Sequence, residues 1–379
     1  MEYTKLKEIN KYKSESINPA KTPDTVFEMY SVPIYDTGHP EYLRGDEISS
    51  NKVIVRKNDI LLCKINPRIN RVWVVADESK YTNIASSEWI VVRTEDYNPE
   101  FLAWYFRSIK FQKLMTSEVT GIGGSLTRAQ PKCVAEYPVP ILSRNQQDSI
   151  VEVLNKCKSI IEARKQELAD LDELIKARFV EMFGDPITNH MGWKKEETNK
   201  HIDLLSGYPF KSEQYVEDGI NICGGLTIMP QRIEWDNCVH WPSLEGYEEY
   251  LLNEGDIVMA LDRPWITEGF KVARIDANHL PALLIQRTAR IRAIDIDQDY
   301  LYYCFINGGF DKHSNVTGSL VPHISAKDIR SFEIMIPPVE LQKEFSLFMK
   351  QVDKSKVAVQ SALDKAQLLF DSLMQQYFG

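Results

Sequence analysis

A basic segment at residues 52–72 is the part of this sequence best suited to binding a polyanion. Its cations outnumber its acids six to one, and the acid is Asp59. The cations are Lys52, Arg56, Lys57, Lys64, Arg68 and Arg71. Such a face can neutralise phosphates, and a loop residue such as Asn66 or Arg68 can reach the edge of adenine or guanine. A solvated strand face would carry the same residues, so this alternative stays open.

The second half of the sequence carries a more dispersed set of cations. Lys211 and Ser212 follow an aromatic loop. Arg290 and Arg292 alternate along a predicted strand, so they are predicted to share one face. Three further cations are also predicted to lie along strands, namely Arg263, Lys271 and Arg287.

Two loops near glycines complete the candidate site. His323 and Ser325 could donate hydrogen bonds to phosphates or bases, although Ser325 could equally cap a helix. In the first half, the loop at residues 121–128 is the alternative DNA surface if the basic segment is a solvated strand. The predicted DNA-binding residues are Lys64, Asn66, Arg68, Arg71, Arg128, Lys211, Ser212, Arg263, Arg287 and His323.

Motifs that would support catalysis or metal binding are incomplete. Asn98-Pro-Glu-Phe101 is similar to the Asn-Pro-Pro-Tyr/Phe signature of adenine methyltransferases, but its glutamate replaces a proline, and a helix start is the simpler interpretation. The glycines at 121–124 lack the strand-then-helix context of a nucleotide-binding loop. Asp77 and Glu78 fit a polar turn, and Cys238-x-His240 has no second ligand pair. We predict no catalytic site, no cofactor and no metal.

The composition of the chain is that of a globular protein. The chain has 379 residues, 43% of them apolar, which is enough for two buried cores. It has no apolar run long enough to cross a membrane and no signal peptide, so we expect a cytoplasmic protein with reduced cysteines. The net charge of −9 argues against a simple basic nucleic-acid-binding domain, unless partner subunits supply much of the nonspecific DNA affinity.

The elements that must position these residues are organised around two long helices with one heptad register. The second stripe lies 195 residues after the first, with the same alternation of steps of four and three. The first stripe is Ile150, Leu154, Cys157, Ile161, Arg164, Leu168, Leu171, Ile175, Arg178 and Met182. The second is Phe345, Met349, Val352, Lys356, Val359, Leu363, Ala366, Phe370, Leu373 and Tyr377. Each helix opens near a glutamine, Gln147 or Gln342. The chain is therefore predicted to be a duplication.

Two matched stripes in one chain can cover each other, so we predict an antiparallel intramolecular coiled coil. A pair of dimerisation helices is the alternative. The rest of the chain is predicted to form two similar mixed α/β globular halves, which makes the fold class α+β. Asp256-Ile257 matches Asp59-Ile60, and residues 300–305 match 101–106.

Local patterns predict the elements of the first half. Residues 53–65 read as a strand, a turn and a second strand, and further strands are predicted at 71–75, 88–93 and 137–141. A helix is predicted to start at Pro99 and to continue through Phe111 and Leu114.

The order of globular part, long helix, globular part and long helix resembles the DNA sequence-specificity (S) subunit of Type I restriction-modification systems. Local phrases agree, including Gly207-Tyr-Pro-Phe-Lys-Ser212, His323-Ile-Ser325 and Ile334-Met-Ile-Pro-Pro338. In the first half, residues 32–38 and 64–68 resemble phrases of the family's target recognition domains. The first half departs from the pattern, because nothing near its start matches Gly207-x-x-Phe210.

The resemblance implies a non-catalytic protein of host defence. It implies two target recognition domains, at 1–142 and 185–337, that read a split asymmetric double-stranded DNA target. It also implies conserved helices, at 143–184 and 338–379, that set the spacing and dock two methyltransferase (M) subunits, to which restriction (R) subunits are added. Two alternatives stay open, a self-contained restriction-modification enzyme and a coiled-coil adaptor that binds only protein.

Overall fold

The chain folds into two compact units, which share the two long helices. The computed structural model describes residues 2–76, 79–120, 127–236, 238–314 and 323–379. Unit 1 is Met1–Lys165 with Ser361–Gly379, and unit 2 is Gln166–Gln360. The candidate turn at Asp77 and Glu78, the glycine loop at 121–126 and the corresponding loop at 317–320 lie outside the described residues.

The helices include two of forty residues each. The helices are α1 Leu6–Ile9, α2 Pro99–Arg107, α3 Ile109–Ser117, α4 Pro131–Val134, α5 Arg144–Phe183, α6 Gln298–Asn307, α7 Phe310–His313, α8 Ala326–Arg330 and α9 Val339–Phe378. The two long helices, α5 and α9, are the ones that the heptad stripes predict, and their existence is confirmed.

Unit 1 contains a five-stranded sheet and a three-stranded sheet. Its strands are β1 Tyr3–Lys5, β2 Ser16–Ile17, β3 Val26–Tyr30, β4 Glu41–Arg44, β5 Lys52–Ile54, β6 Ile60–Cys63, β7 Val72–Val74, β8 Thr82–Ala85, β9 Trp89–Val92, β10 Val119–Thr120, β11 Arg128–Ala129 and β12 Pro138–Pro140. The larger sheet has the order β2-β5-β8-β3-β4, and the smaller one has β7-β6-β9. Two-stranded pairs join β1 to β12 and β10 to β11.

Unit 2 contains a four-stranded sheet and a three-stranded sheet. Its strands are β13 Lys195–Glu197, β14 Ile202–Ser206, β15 Ile220–Cys223, β16 Ile228–Met229, β17 Arg232–Ile233, β18 His240–Trp241, β19 Ile257–Ala260, β20 Trp265–Ile266, β21 Gly269–Phe270, β22 Val272–Arg274, β23 Ala282–Leu284, β24 Thr288–Ala293 and β25 Glu333–Met335. The four-stranded sheet, β14-β24-β19-β22, corresponds to β9-β6-β7 of unit 1 with β14 added, and the three-stranded sheet is β18-β15-β23. The phrase at Gly207 follows β14, and a Cβ at Gly207 would lie 2.0 Å from the carbonyl oxygen of Ile285. This arrangement explains why the first half lacks that phrase.

The predicted strands of the first half are confirmed as β5, β6, β7, β9 and β12. The strands β5 and β6 flank the predicted turn but belong to different sheets, so the basic segment at 52–72 is divided between them. The sequence analysis missed β3, β4 and β8. The prediction of one helix from Pro99 through Leu114 was wrong, because Ser108 leaves the helical conformation with a ψ of 150°. Its side chain caps α3 by accepting from the backbone N–H of Phe111.

The two long helices run antiparallel within each unit. In unit 2, Arg178 of α5 donates to Glu344 of α9 at 3.0 Å, while Asp172, earlier in α5, pairs with Lys356, later in α9. The pairing with Asp172 accounts for Lys356, the polar member of the second stripe. In unit 1, the thiol of Cys157 lies 3.5 Å from the carbonyl oxygen of Ala366. The intramolecular coiled coil is therefore confirmed, and its stripes pair with each other.

Aromatic side chains join each globular part to the end of a long helix. In unit 1, Trp104 of α2 contacts Phe370 of α9 with ring centroids 5.5 Å apart. In unit 2, Tyr300 of α6 contacts Phe183 of α5 at 4.8 Å. Three of these rings are at most 5% exposed and the ring of Phe370 is partly buried, so each globular part and its helix end form one hydrophobic core.

A buried ion pair recurs in both units and supports the duplication. Asp59 receives two hydrogen bonds from the guanidinium of Arg93, both at 2.7 Å, and Asp256 receives two from Arg292, at 2.5 and 2.7 Å. The residue before each aspartate has a left-handed backbone, with φ of 72° at Asn58 and 81° at Gly255. The matches made from sequence at Asp59 and Asp256 therefore hold in detail.

Candidate nucleic-acid interface

Three segments of unit 1 meet where β6 ends. The backbone N–H of Lys64 donates to the carbonyl oxygen of Glu88 at 3.0 Å. The backbone N–H of Asn66 donates to the carbonyl oxygen of Thr127 at 2.8 Å. The carbonyl of Lys64 accepts from the N–H of Ala129 at 2.9 Å. We call these segments, residues 64–66, 87–88 and 127–129, the frame of unit 1. The frame brings together Lys64, Asn66 and Arg128 of the predicted set.

The side chains of this frame form a small charged surface. Arg128 lies with its Nε and Nη2 at 3.3 and 3.4 Å from the two carboxylate oxygens of Glu88. Arg128 is exposed and Glu88 is partly exposed. Lys64 donates from Nζ to the carbonyl of Ser87 at 2.6 Å. The surface therefore carries two cations and one acid.

A tight turn extends from the frame. Asn66 has a φ of +46°, and its carbonyl accepts from the N–H of Ile69 at 2.9 Å. Pro67 occupies the second position of this turn, where its fixed φ is favourable, and Arg68 is exposed at the third position. Within the part of the chain that the structure describes, no hydrogen-bond partner is found for the buried Oδ1 of Asn66 or the buried Nε of Arg71. A left-handed asparagine with an unpaired acceptor is typical of a functional loop.

Unit 2 has the same frame with different side chains. The backbone N–H of Leu261 donates to the carbonyl oxygen of Arg287 at 2.9 Å, and the carbonyl oxygen of Leu261 accepts from the backbone N–H of Ile324 at 2.8 Å. Asp262 pairs with His323 in an antiparallel bridge, as Ile65 pairs with Arg128 in unit 1. The frame of unit 2 is therefore residues 261–263, 287 and 323–324.

The residue after the bridge has the same unusual backbone in both units. Arg263 has a φ of +46°, equal to that of Asn66, and each precedes a buried proline. A left-handed φ costs a non-glycine residue roughly 1–2 kcal/mol. Two different polar side chains are thus held in one strained position at equivalent places.

Basic side chains of the unit 2 frame lie around one acid. Nδ1 of His323 lies 2.6 Å from Oδ1 of Asp262, and Nη1 of Arg287 lies 3.3 Å from Oδ2. Arg287 and His323 expose more than half of their side chains. Arg263 is exposed beside them. The structure therefore brings Arg263, Arg287 and His323 together.

A groove of about 700 Å³ opens beside this frame. It is lined by Asp262, Arg263, Arg287, the glycine turn at 224–225 and the aromatic Tyr215, among others. The ammonium group of Lys271 donates to the carbonyl of Gly225, and burial lowers the pKa of Lys271. Leu226, at the tip of that turn, is 91% exposed. The groove is therefore lined by both polar and apolar groups.

Several predicted positions are corrected by the structure. Arg263, Lys271 and Arg287 lie in connections between strands and not along them. Arg290 lies on β24 but is 6% exposed and pairs with Asp203 at 2.7 Å, so it is not a surface cation. Arg292 serves the ion pair with Asp256 described above.

The remaining candidates lie apart from the frames. Lys211 and Ser212 are exposed at the start of a one-turn helix and are not among the described residues that line the groove. Lys52 is buried, and Arg56 pairs with Glu15 at 3.3 Å. Ser325 caps α8 in a capping box with Asp328.

Two acids of the frames, Glu88 and Asp262, were missed from the sequence. A signal for Asp262 is present, because counting 197 residues from Asp59 to Asp256 also places Asn66-Pro67 on Arg263-Pro264. That alignment would have drawn attention to the neighbouring Asp262. Glu88 has no comparable motif, and its role depends on the pairing of distant strands.

Of the motifs considered for catalysis or metal binding, the one at Asn98 has a structural role. The side chain of Asn98 caps α2 by accepting from the N–H groups of Glu100 and Phe101. Sγ of Cys238 lies 3.5 Å from Nε2 of His240. Over the described ranges, no three His, Cys, Asp or Glu side chains are grouped to hold a metal ion. None of the helices in those ranges has the length and apolarity needed to span a membrane.

Comparison with known proteins gives consistent matches. The model of the Type I restriction modification DNA specificity domain matches residues 226–366. The MjaVIII specificity subunit of Methanocaldococcus jannaschii is 24% identical over 360 residues, covering 88% of this chain and 82% of that protein. The EcoAI specificity subunit of Escherichia coli is 33% identical over 172 residues, which cover 43% of this chain and 28% of that protein.

Two solved structures share the fold. The S subunit of a Type I restriction-modification system from M. genitalium aligns with a TM-score of 0.60 and 13% identity, over 100% of this chain and 96% of that one. A chain from a study of complex assembly in the type I R-M system aligns with a TM-score of 0.58 and 17% identity, over 100% and 97%.

The chain thus has duplicated α/β units with different polar side chains on one frame, and two long helices that take part in both units. Residues 226–366 match the specificity-domain family of Type I restriction-modification systems, and the chain is similar along most of its length to a specificity subunit of such a system.

Proposed function

We propose that this chain is a specificity subunit of a Type I restriction-modification system, with no catalytic site, and that it reads a split, asymmetric double-stranded DNA target. Its recognition domains, residues 1–142 and 185–337, each read one half of the target. The single observation that carries the proposal is the frame. Equivalent backbone hydrogen bonds of Lys64 and Leu261, with an equivalent antiparallel bridge, place Asn66 and Arg128 in unit 1 where unit 2 has Arg263 and His323. Different donors and acceptors on one scaffold suit two different base sequences.

The long helices are proposed to set the spacing of the two half-targets and to dock two methyltransferase subunits, to which restriction subunits are added. The length of the helices supports this role, since each spans forty residues and takes part in both units. The acidic total charge of −9 is compatible with DNA binding if these partners supply much of the phosphate contact. We propose that the complex acts in the cytoplasm.

The test is a methylation assay with the purified chain and S-adenosylmethionine. We expect no methyl transfer by the chain alone, and adenine methylation at one split sequence when methyltransferase subunits are added. Replacing the frame residues of unit 1 should change the bases of one half-target only. Methyl transfer by the chain alone would overturn the non-catalytic assignment, and methylation independent of sequence would overturn the reading role.

A further inference from the structure

Each unit places an acid beside a basic side chain at the same point of its frame. Arg128 and His323 are equivalent, because each forms the bridge to the residue that precedes the left-handed position. Arg128 contacts Glu88 through two nitrogens at 3.3 and 3.4 Å, and His323 contacts Asp262 at 2.6 Å. All four side chains are partly or largely exposed.

The two acids come from different positions of the frame. Glu88 is equivalent to Arg287, since each gives its carbonyl to the first frame residue, Lys64 or Leu261. Asp262 is equivalent to Ile65. The frame itself therefore requires an acid at neither position. Both units nevertheless supply a carboxylate to the basic side chain of the third segment, Arg128 or His323.

An acid is unfavourable in a surface that only neutralises phosphates. A paired carboxylate and cation have a net charge near zero, so they displace few counterions from DNA, and the carboxylate itself repels phosphate. The pair has a different advantage. A guanidinium held at two points keeps its remaining N–H donors in one direction, and less side-chain entropy is lost when they meet a base edge.

We infer that Glu88 and Asp262 are positioning residues for sequence reading, which direct Arg128 and His323 to base edges instead of phosphates. The inference rests on the proposed function and adds two residues to it. For Arg128, the base edge that suits two parallel donors is that of guanine, through O6 and N7. Glu88 then affects base discrimination in one half-target, and Asp262 affects it in the other.

The test uses the complex with its methyltransferase subunits and the target that it methylates. Binding is measured to that duplex, to duplexes with single base-pair changes in each half, and to an unrelated duplex over a range of salt concentrations. For Glu88→Gln we expect discrimination at one position of one half-target to fall on the order of tenfold. Binding to the unrelated duplex should tighten, since one negative charge is lost. The slope of log affinity against log salt concentration should become steeper by up to about the contribution of one phosphate contact.

Two further variants separate positioning from charge. Glu15→Gln removes an acid from an exposed ion pair with Arg56 at the same distance, 3.3 Å, and should leave discrimination unchanged. Arg128→Lys keeps the charge but loses the two-point contact with Glu88. It should lose discrimination at the same position as Glu88→Gln, with little change in binding to the unrelated duplex. For Asp262→Asn we expect a loss confined to the other half-target.

The outcomes distinguish this inference from the proposed function. If the wild-type complex shows no sequence preference, the proposed function fails. If the wild type discriminates and folded Glu88→Gln and Asp262→Asn discriminate equally well, the positioning role is overturned. A uniform weakening at all duplexes, shared by Glu88→Gln and Arg128→Lys, would also overturn it, because such a result indicates a phosphate contact or a structural role.

Discussion

The side-chain oxygen of Gln147 accepts a hydrogen bond from the backbone N–H of Asn98 at 2.8 Å. The amide nitrogen of the same side chain donates to the carbonyl of Leu142 at 2.9 Å. In unit 2, Gln342 repeats both contacts, with Asp297 at 2.8 Å and Pro337 at 2.8 Å. Each glutamine is 1% exposed. The glutamine near the start of each long helix therefore hydrogen-bonds to the N-cap residue of a helix in the globular part, α2 in unit 1 and α6 in unit 2.

Replacing Gln147 with Ala removes both contacts and leaves buried backbone groups without these partners. We expect the free energy of unfolding of unit 1 to fall by roughly 1–3 kcal/mol. Chemical denaturation followed by tryptophan fluorescence measures this change. Gln166→Ala, at an exposed position of the same helix, is the control and should change stability little. Equal stability of the two variants would show that Gln147 does not anchor the helix.

Arg292 and Arg287 are expected to differ sharply when each is replaced with Gln. Arg292→Gln leaves Asp256, which is 4% exposed, as a buried charge without its cation, so we expect a loss of roughly 3 kcal/mol in unfolding free energy. Arg287 exposes 74% of its side chain, and its replacement should leave stability unchanged while altering DNA binding. Thermal unfolding and DNA binding are measured on both variants. A stable Arg292→Gln variant with weakened DNA binding would contradict the assignment of Arg292 to the core.

The left-handed positions allow stability to be separated from recognition. Glycine adopts a left-handed backbone without strain. The unfolding free energy of the Asn66→Gly variant should therefore exceed that of the Asn66→Ala variant by roughly 1–2 kcal/mol. Both variants lose the carboxamide and should discriminate less among duplexes altered in one half-target. Arg263→Gly and Arg263→Ala should behave in the same way for the other half. If the alanine variants are as stable as the glycine variants, the backbone is not strained at these positions.

The spacing of the half-targets should respond to the length of the long helices. Inserting one heptad between residues 165 and 166 and another between 360 and 361 preserves both stripes. Seven residues add about 10 Å of helix, and the spacing should increase by up to roughly three base pairs with the bases of each half unchanged. Mapping of methylated sites measures the spacing. Insertion into α5 alone should disrupt the pairing of the stripes and lower stability, and unchanged spacing in the folded double insertion would show that the helices do not set it.

The heptad stripes, the duplication and the presence of a glutamine near the start of each long helix could be recognised from the sequence because these signals are local or periodic. A helix of forty residues needs a continuous apolar stripe, and two copies in one chain predict their own pairing. The strands on either side of the turn at 57–59 were also predictable, since two apolar runs flank a short polar segment there. The break at Ser108 was not, because a serine can lie within a helix, and only the tertiary packing decides that its side chain caps the next one.

The candidate site depended far more on tertiary structure. Sequence places arginines at 287, 290 and 292, within six residues, but only the folded chain decides which of them meets a buried carboxylate. Charge alone cannot tell a structural ion pair from a surface cation, because the difference is made by residues distant in sequence, such as Asp203 for Arg290. The pairing of Glu88 with Arg128 arises for the same reason, since strand pairing brings together residues forty positions apart.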